Sequence, residues 1–326
     1  MFVRNAALEA RLVESPDDEL AYEVYADWLC SQGSPHGELM QIQRWRQVDP
    51  SHAGWRRREI ELLEEHAVAL VGRLLAPRIR MLAWDAGYVR GIMLNLHELR
   101  ELRDRPAGLM VQDIVVSAKG ELQPVIDELV AWPPILRAIR IAAGPASRGC
   151  RTWALWRAQP QLVRAELSGG AFDLSGLESP ILRALSLAPE RLTSTDLRAL
   201  ASAKLPALEQ LELSFSNDAG TRRNWPPPDA IQTSELRAVF DALSPSLHTL
   251  RLRTAMRGAE LCTLLCNHPF AGRLRVLDLM SCEVGDEGAR ILANARGRFA
   301  SIESLSIQWG GIRNRRALGD WPFKPD

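Results

Sequence analysis

Leu274-Arg-Val-Leu277-Asp-Leu279-Met-Ser-Cys282-Glu-Val284-Gly-Asp-Glu-Gly-Ala-Arg-Ile-Leu292 is the stretch that decides the fold. Its apolar residues keep the spacing L-x-x-L-x-L-x-x-[NC]-x-[LIV], and small residues follow where a helix can begin. Leu277 and Leu279 are two apart, so they share one face of a short strand. Leu274 and Val284 close the turns on either side, and Cys282 stands where a small buried polar group satisfies turn backbone. A single unit of this kind cannot bury its own apolar face, so neighbours of the same kind must flank it.

Copies of the spacing recur in both directions. Downstream is Ile302-x-x-Leu305-x-Ile307, with Ile312. Upstream are segments starting at Leu247, Leu208, Leu182, Leu162 and Leu136, the fourth of them with Ala165 in place of a Leu. Val111-x-x-Ile114-x-Val116 and Val89-x-x-Ile92-x-Leu94 extend the series with branched residues. The starts advance by 22, 25, 26, 20, 26, 39, 27 and 28 residues, mostly within the roughly 20–29 window of stacked strand–helix units. Leu197, Leu261 and Ala289 each fall 14 or 15 residues after the first Leu of their segments, where a helix turns its apolar side inward. Thr193-Ser-Thr and Thr233-Ser-Glu supply N-cap chemistry for two of these helices. The expectation is an α/β solenoid. About nine parallel strands line the concave face, helices form the convex face, and the crossovers are right-handed. The pattern resembles leucine-rich repeats and is similar to the ribonuclease-inhibitor class, a resemblance that implies protein binding across the concave sheet.

Residues 1–80 read differently. Ser15-Pro16-Asp17-Asp18 predicts a helix start, with Ser capping, Pro in the first turn and two carboxylates on the dipole. Leu20, Val24 and Trp28 follow at four-residue intervals, widened by Tyr25 and Leu29 into an apolar stripe. Gly33-Ser34-Pro35 ends that helix; Leu39, Ile42 and Gln43 open another. Arg56–Leu75 predicts a third, with Leu62, Leu63, Leu70 and Leu74 on one face. The organisation expected is a helical cap over 1–80 and a repeat arc over 81–326, with an inserted loop at about 216–232 that accounts for the 39-residue interval. Leu12-Val-Glu-Ser-Pro-Asp-Asp-Glu-Leu20, Tyr25-Ala-Asp-Trp-Leu29 and Gly37-Glu38-Leu-Met-Gln-Ile-Gln43 resemble the bacterial repeat-companion domain, which precedes leucine-rich repeats. Ala86-Gly-Tyr-Val-Arg-Gly-Ile92 resembles the segment by which such proteins enter their first repeat. The likeness covers roughly residues 8–95. It departs after Gly33, where the usual Asp-Pro-Arg-Gly is Ser34-Pro35-His36-Gly37. It implies architecture and a bacterial origin, and brings no catalytic residue with it.

Composition narrows the function classes. The chain has 326 residues, 46% hydrophobic and 25% charged, with 40 basic residues against 40 acidic ones. A neutral balance argues against a dedicated nucleic-acid or membrane-surface binder, whose footprint is basic. Of the 40 basic residues only Lys119, Lys204 and Lys324 are lysines, a bias that a GC-rich genome accounts for. The first residues read as no secretory signal, and no segment reaches the roughly 18 apolar residues of a membrane span. Five cysteines, an odd number scattered along the chain, point to reduced thiols and a cytoplasmic location.

The chemical constellations read as structural. Cys262-x-x-x-Cys266 with His268 lacks a fourth ligand for structural zinc and is interleaved with leucines. Asp27, His36 and Glu38 are read as parts of a helical core and not as an acid–base set. Arg44-Trp-Arg46 and Trp55-Arg-Arg-Arg58 set aromatics beside basic charge, as single-stranded nucleic-acid sites do. Glu59, Glu61, Glu64 and Glu65 neutralise them at helical spacing. No phosphate loop or nucleophile elbow is present. The reading is therefore a non-enzymatic chain without cofactor or metal.

What remains is a binding surface for another protein. In this repeat class the residues between and after the strand leucines face the concavity. From the segment at Leu208 onward they are Gln210, Glu212, Phe215, Arg251, Arg253, Asp278, Met280, Gln308 and Trp309. Aromatics, Met and Arg together match interface hot spots, whereas Ala138, Ala184 and Ser186 on earlier strands are bland. Trp225, beside Arg222, Arg223 and three prolines, tips the inserted loop. The function expected is a protein-binding regulatory or inhibitory scaffold acting through the concave surface. The alternatives are a GTPase-activating regulator using Arg222, Arg223 or Arg251 and, more weakly, an RNA-binding regulator.

Overall fold

Short-range capping places the first helices, and it does so one turn later than Ser15 suggests. In the computed structural model, which describes residues 3–144, 149–190, 192–214, 231–253, 258–280 and 282–307, helix α1 (Ala6–Glu14) begins where the Asn5 side chain accepts from the Ala7 and Leu8 amides. Ser15 ends that helix. Helix α2 (Glu19–Ser31) starts at Asp18, whose carboxylate accepts from the Leu20 and Ala21 amides. A carboxylate at that position also meets the positive end of the helix dipole, which an Ser hydroxyl does only weakly. Helix α3 (Pro35–Val48) has Pro in its first turn.

The long third helix expected over 56–75 is broken. Helix α4 (Ala53–Glu65) stops at His66, and a short α5 (Ala67–Val71) ends at Gly72, with φ +91°. The Glu101 carboxylate then accepts from the Arg73 and Leu74 amides at 2.7 and 2.9 Å, so Leu74 leaves the buried face and is exposed.

Two compact units follow from the packing. One comprises residues 1–118, 124–141 and 158–162, the other residues 119–123, 142–157 and 163–326. In the first, β1 (Ala83–Asp85) and β2 (Tyr88–Leu94) form an antiparallel hairpin whose two turn residues, Ala86 and Gly87, both have positive φ. That geometry is the type I′ turn. Helix α6 (Leu96–Arg103), β3 (Asp113–Ala118), α7 (Gln123–Val130) and β4 (Ala138–Ala143) complete the elements, with strand order β1-β2-β3-β4. Strands β2 and β3 pair in parallel, Ile92 opposite Ile114 and Leu94 opposite Val116.

The unit's core joins helices and strands. Leu12, Tyr25, Leu29 and Met40 are buried with Tyr88, Met110 and Ile135. Helix α2 turns Ala21, Tyr22, Tyr25, Ala26 and Leu29 inward, and leaves Leu20 and Val24 exposed at 58% and 41%. The stripe expected from Leu20, Val24 and Trp28 is thus rotated. Two tyrosines bury more area than Leu and Val, and each finds a hydroxyl partner: Tyr22 donates to the Pro16 carbonyl at 3.0 Å and Tyr25 to Glu9 at 2.7 Å.

The second unit holds β5 (Cys150–Arg151), α8 (Trp153–Ala158), β6 (Arg164–Ser168), β7 (Phe172–Asp173), β8 (Ala184–Ala188), α9 (Ser194–Ala201) and β9 (Gln210–Ser214). Then come α10 (Thr233–Ala242), β10 (Thr249–Arg253), α11 (Gly258–Asn267), β11 (Val276–Asp278), α12 (Gly285–Asn294) and β12 (Ser304–Ser306). Strand order is β6-β8-β9-β10-β11-β12, and every pair is parallel. The register aligns Ala165, Leu185, Leu211, Leu250, Leu277 and Leu305 in one row, all buried. Leu197, Leu261 and Ala289 are buried on α9, α11 and α12. Thr193 caps α9 reciprocally with Asp196, whereas α10 is capped one residue before Thr233, the Gln232 amide donating to Glu235 at 2.9 Å. Between β6 and β8 no helix forms. The 20-residue interval is too short for one, and Phe172–Asp173 pairs instead with Cys150–Arg151 in a two-stranded sheet.

Cys282 does what its position requires: its thiol donates to the Leu252 carbonyl at 3.1 Å, and the Gly258 amide donates to the Glu283 carbonyl at 3.0 Å. Gly258 is buried against that strand exit, where a Cβ would lie 2.0 Å from the Glu283 oxygen.

Candidate functional site

Period-two alternation in the second unit puts leucines on one face of its strands and a polar row on the other. That row runs Glu166, Ser186, Glu212, Arg251, Asp278, Ser306 across neighbouring strands. Gln210 lies one row below and Arg253 one row above. Arg253 pairs with Glu212 at 3.4 Å. The Asp278 carboxylate accepts from the Met280 amide at 2.9 Å, closing the turn after β11. Arg251 stands in register between Glu212 and Asp278 and has no ion pair among the described residues. The structure therefore brings together six of the residues expected to bind a partner: Gln210, Glu212, Arg251, Arg253, Asp278 and Met280. Phe215, Trp225, Gln308 and Trp309 lie outside the described residues.

A cleft in the first unit had no counterpart in the sequence reading. It measures about 720 Å³ and opens between α2, α3 and the β1–β2 hairpin. Helix α2 lines it with Glu19, Glu23 and Asp27 at four-residue spacing, and the hairpin adds Asp85 and Arg90. Arg90 donates to Asp85 at 2.9 Å and to the Tyr22 hydroxyl at 3.1 Å, and its guanidinium sits 5.3 Å from the centre of the Tyr22 ring. Arg44 of α3 pairs with Glu23. Gln41 donates to Asp27 and Gln47 to Asp85. Glu19, Glu23 and Asp27 were legible as acidic positions, but the facing wall comes from the hairpin some sixty residues later, which no local pattern connects to α2.

The clusters that sequence alone suggested for chemistry are dispersed. Asp27 lines the cleft. His36 is fully enclosed, its Nε2 at 2.8 Å from the Gly87 carbonyl; burial pushes its pKa down to about 4, so the ring is neutral at pH 7. Glu38 pairs with Arg58 at 2.8 Å, which holds its carboxyl below the ordinary value. Arg46 pairs with Glu59 on α4. Cys262 and Cys266 are buried, and burial raises both thiols, Cys266 to about 11. His268 meets Asp241 at 3.0 Å and packs on Phe270. Among the described residues no group of three His, Cys, Asp or Glu side chains is placed to hold a metal ion, and no helix is long and apolar enough to cross a membrane.

No family model and no curated protein matches the chain. Solved structures do: one, of a protein from Bacteroides fragilis, superposes with a TM-score of 0.54 at 14% identity, covering 77% of this chain and 76% of that one. At that identity the likeness concerns the fold: mixed α/β, with a mostly parallel sheet and helices.

Proposed function

We propose that this chain is a protein-binding regulatory scaffold, a leucine-rich-repeat stack preceded by a helical cap, that engages its partner over the polar strand face of the second unit. The observation that carries the proposal is Arg251, held in register between Glu212 and Asp278 with no ion pair among the described residues. A half-buried guanidinium that makes no direct ion pair among the described residues keeps its donors open, and a carboxylate from another protein would engage them with bidentate geometry. The buried leucine row supports the repeat reading, because it repeats one contact from strand to strand. None of the five cysteines forms a disulfide, in keeping with action in the cytoplasm. The scaffold needs no reactive centre; its work is occlusion or positioning.

The test is affinity capture from the source organism with wild-type protein, followed by binding measurements on the purified partner. Arg251→Ala is expected to weaken binding at least about tenfold, or about 1.4 kcal/mol, at unchanged melting temperature. Arg140→Ala, on β4, should do little. Equal losses from both would spread the interface beyond this row, and no loss from Arg251→Ala would remove the row from the interface.

A further inference from the structure

We draw no further inference here: the strongest candidate, the surface cluster of rings that Trp45, Trp55 and His52 form at the turn between α3 and α4, is an apolar patch, and nothing in the structure shows what covers it.

Discussion

Replacing His36 by Gln should flatten the acid limb of the stability curve, and the size of the effect follows from how the imidazole is enclosed. His36 lies between α3 and the hairpin, its Nε2 at 2.8 Å from the Gly87 carbonyl and its ring edge-on to Tyr88 at 5.1 Å. Desolvation disfavours the imidazolium there and lowers the pKa from 6.5 to about 4. The unfolded chain therefore takes up the proton first. The stability His36 contributes is complete above about pH 6.5 and is lost as pH falls towards 4, with a slope of about 1.4 kcal/mol per unit. Across the full window the loss is about 3 kcal/mol, of which about 2 kcal/mol falls between pH 7 and pH 5. Gln keeps a donor for the Gly87 carbonyl and has no proton to gain. Urea unfolding followed by tryptophan fluorescence at pH 7 and pH 5, for wild type and His36→Gln, gives a double difference in which all other titrating groups cancel. A double difference near zero would refute the reasoning, because His36 would then take its proton equally well in both states.

Three further outcomes follow from the packing. Gly87→Ala should destabilise by about 1–3 kcal/mol, since φ is +82° and the new Cβ would lie 2.3 Å from Met40 Cγ; an unchanged melting temperature would mean that the hairpin yields freely. Leu277→Ala should cost about 2–5 kcal/mol, as Leu277 is fully buried in register between Leu250 and Leu305; calorimetry showing less than about 1 kcal/mol would mean a strand that collapses onto the cavity. Removing residues 1–80 should give an aggregating remainder, because Tyr88, Met110 and Ile135 share their core with Leu12, Tyr25 and Met40. A monomeric, cooperatively melting 81–326 fragment, judged by size-exclusion chromatography, would make the helical segment a tethered module.

The strands were legible because their signal is local and repeated. L-x-x-L-x-L states within six residues which side chains go inward, and the same statement at Leu208, Leu247 and Leu274 leaves few registers that keep every leucine buried. The Cys282 thiol on the Leu252 carbonyl was foreseeable for the same reason: a turn of that shape leaves one carbonyl to satisfy. The helices of residues 1–80 were less legible. Leu20, Val24 and Trp28 have the right period for a buried stripe, but so do Tyr22, Tyr25 and Leu29 on the adjoining face. Period alone does not choose between two such faces. The choice was made by what the tyrosine hydroxyls could reach, the Pro16 carbonyl and Glu9, and by the hairpin that packs on them. Likewise Gly72 and Glu101 end a helix whose leucine spacing runs on to Leu74.

The candidate sites divide along the same line. Alternation along each strand was enough to put Arg251 and Glu212 on the polar face. That Arg251 makes no ion pair among the described residues depends on side-chain distances across three strands, and only the tertiary structure decided it. The cleft lies wholly on that side of the division. Glu19 and Asp27 come from one helix, Trp45 from the next and Arg90 from a hairpin strand, and no local pattern joins them. By itself the sequence determined which residues alternate, cap and repeat, because those depend on backbone geometry over a few residues. Which faces met, which charges found partners and which concavity stayed open were decided by packing, where burial area and hydrogen-bond reach between distant segments outweigh local preference.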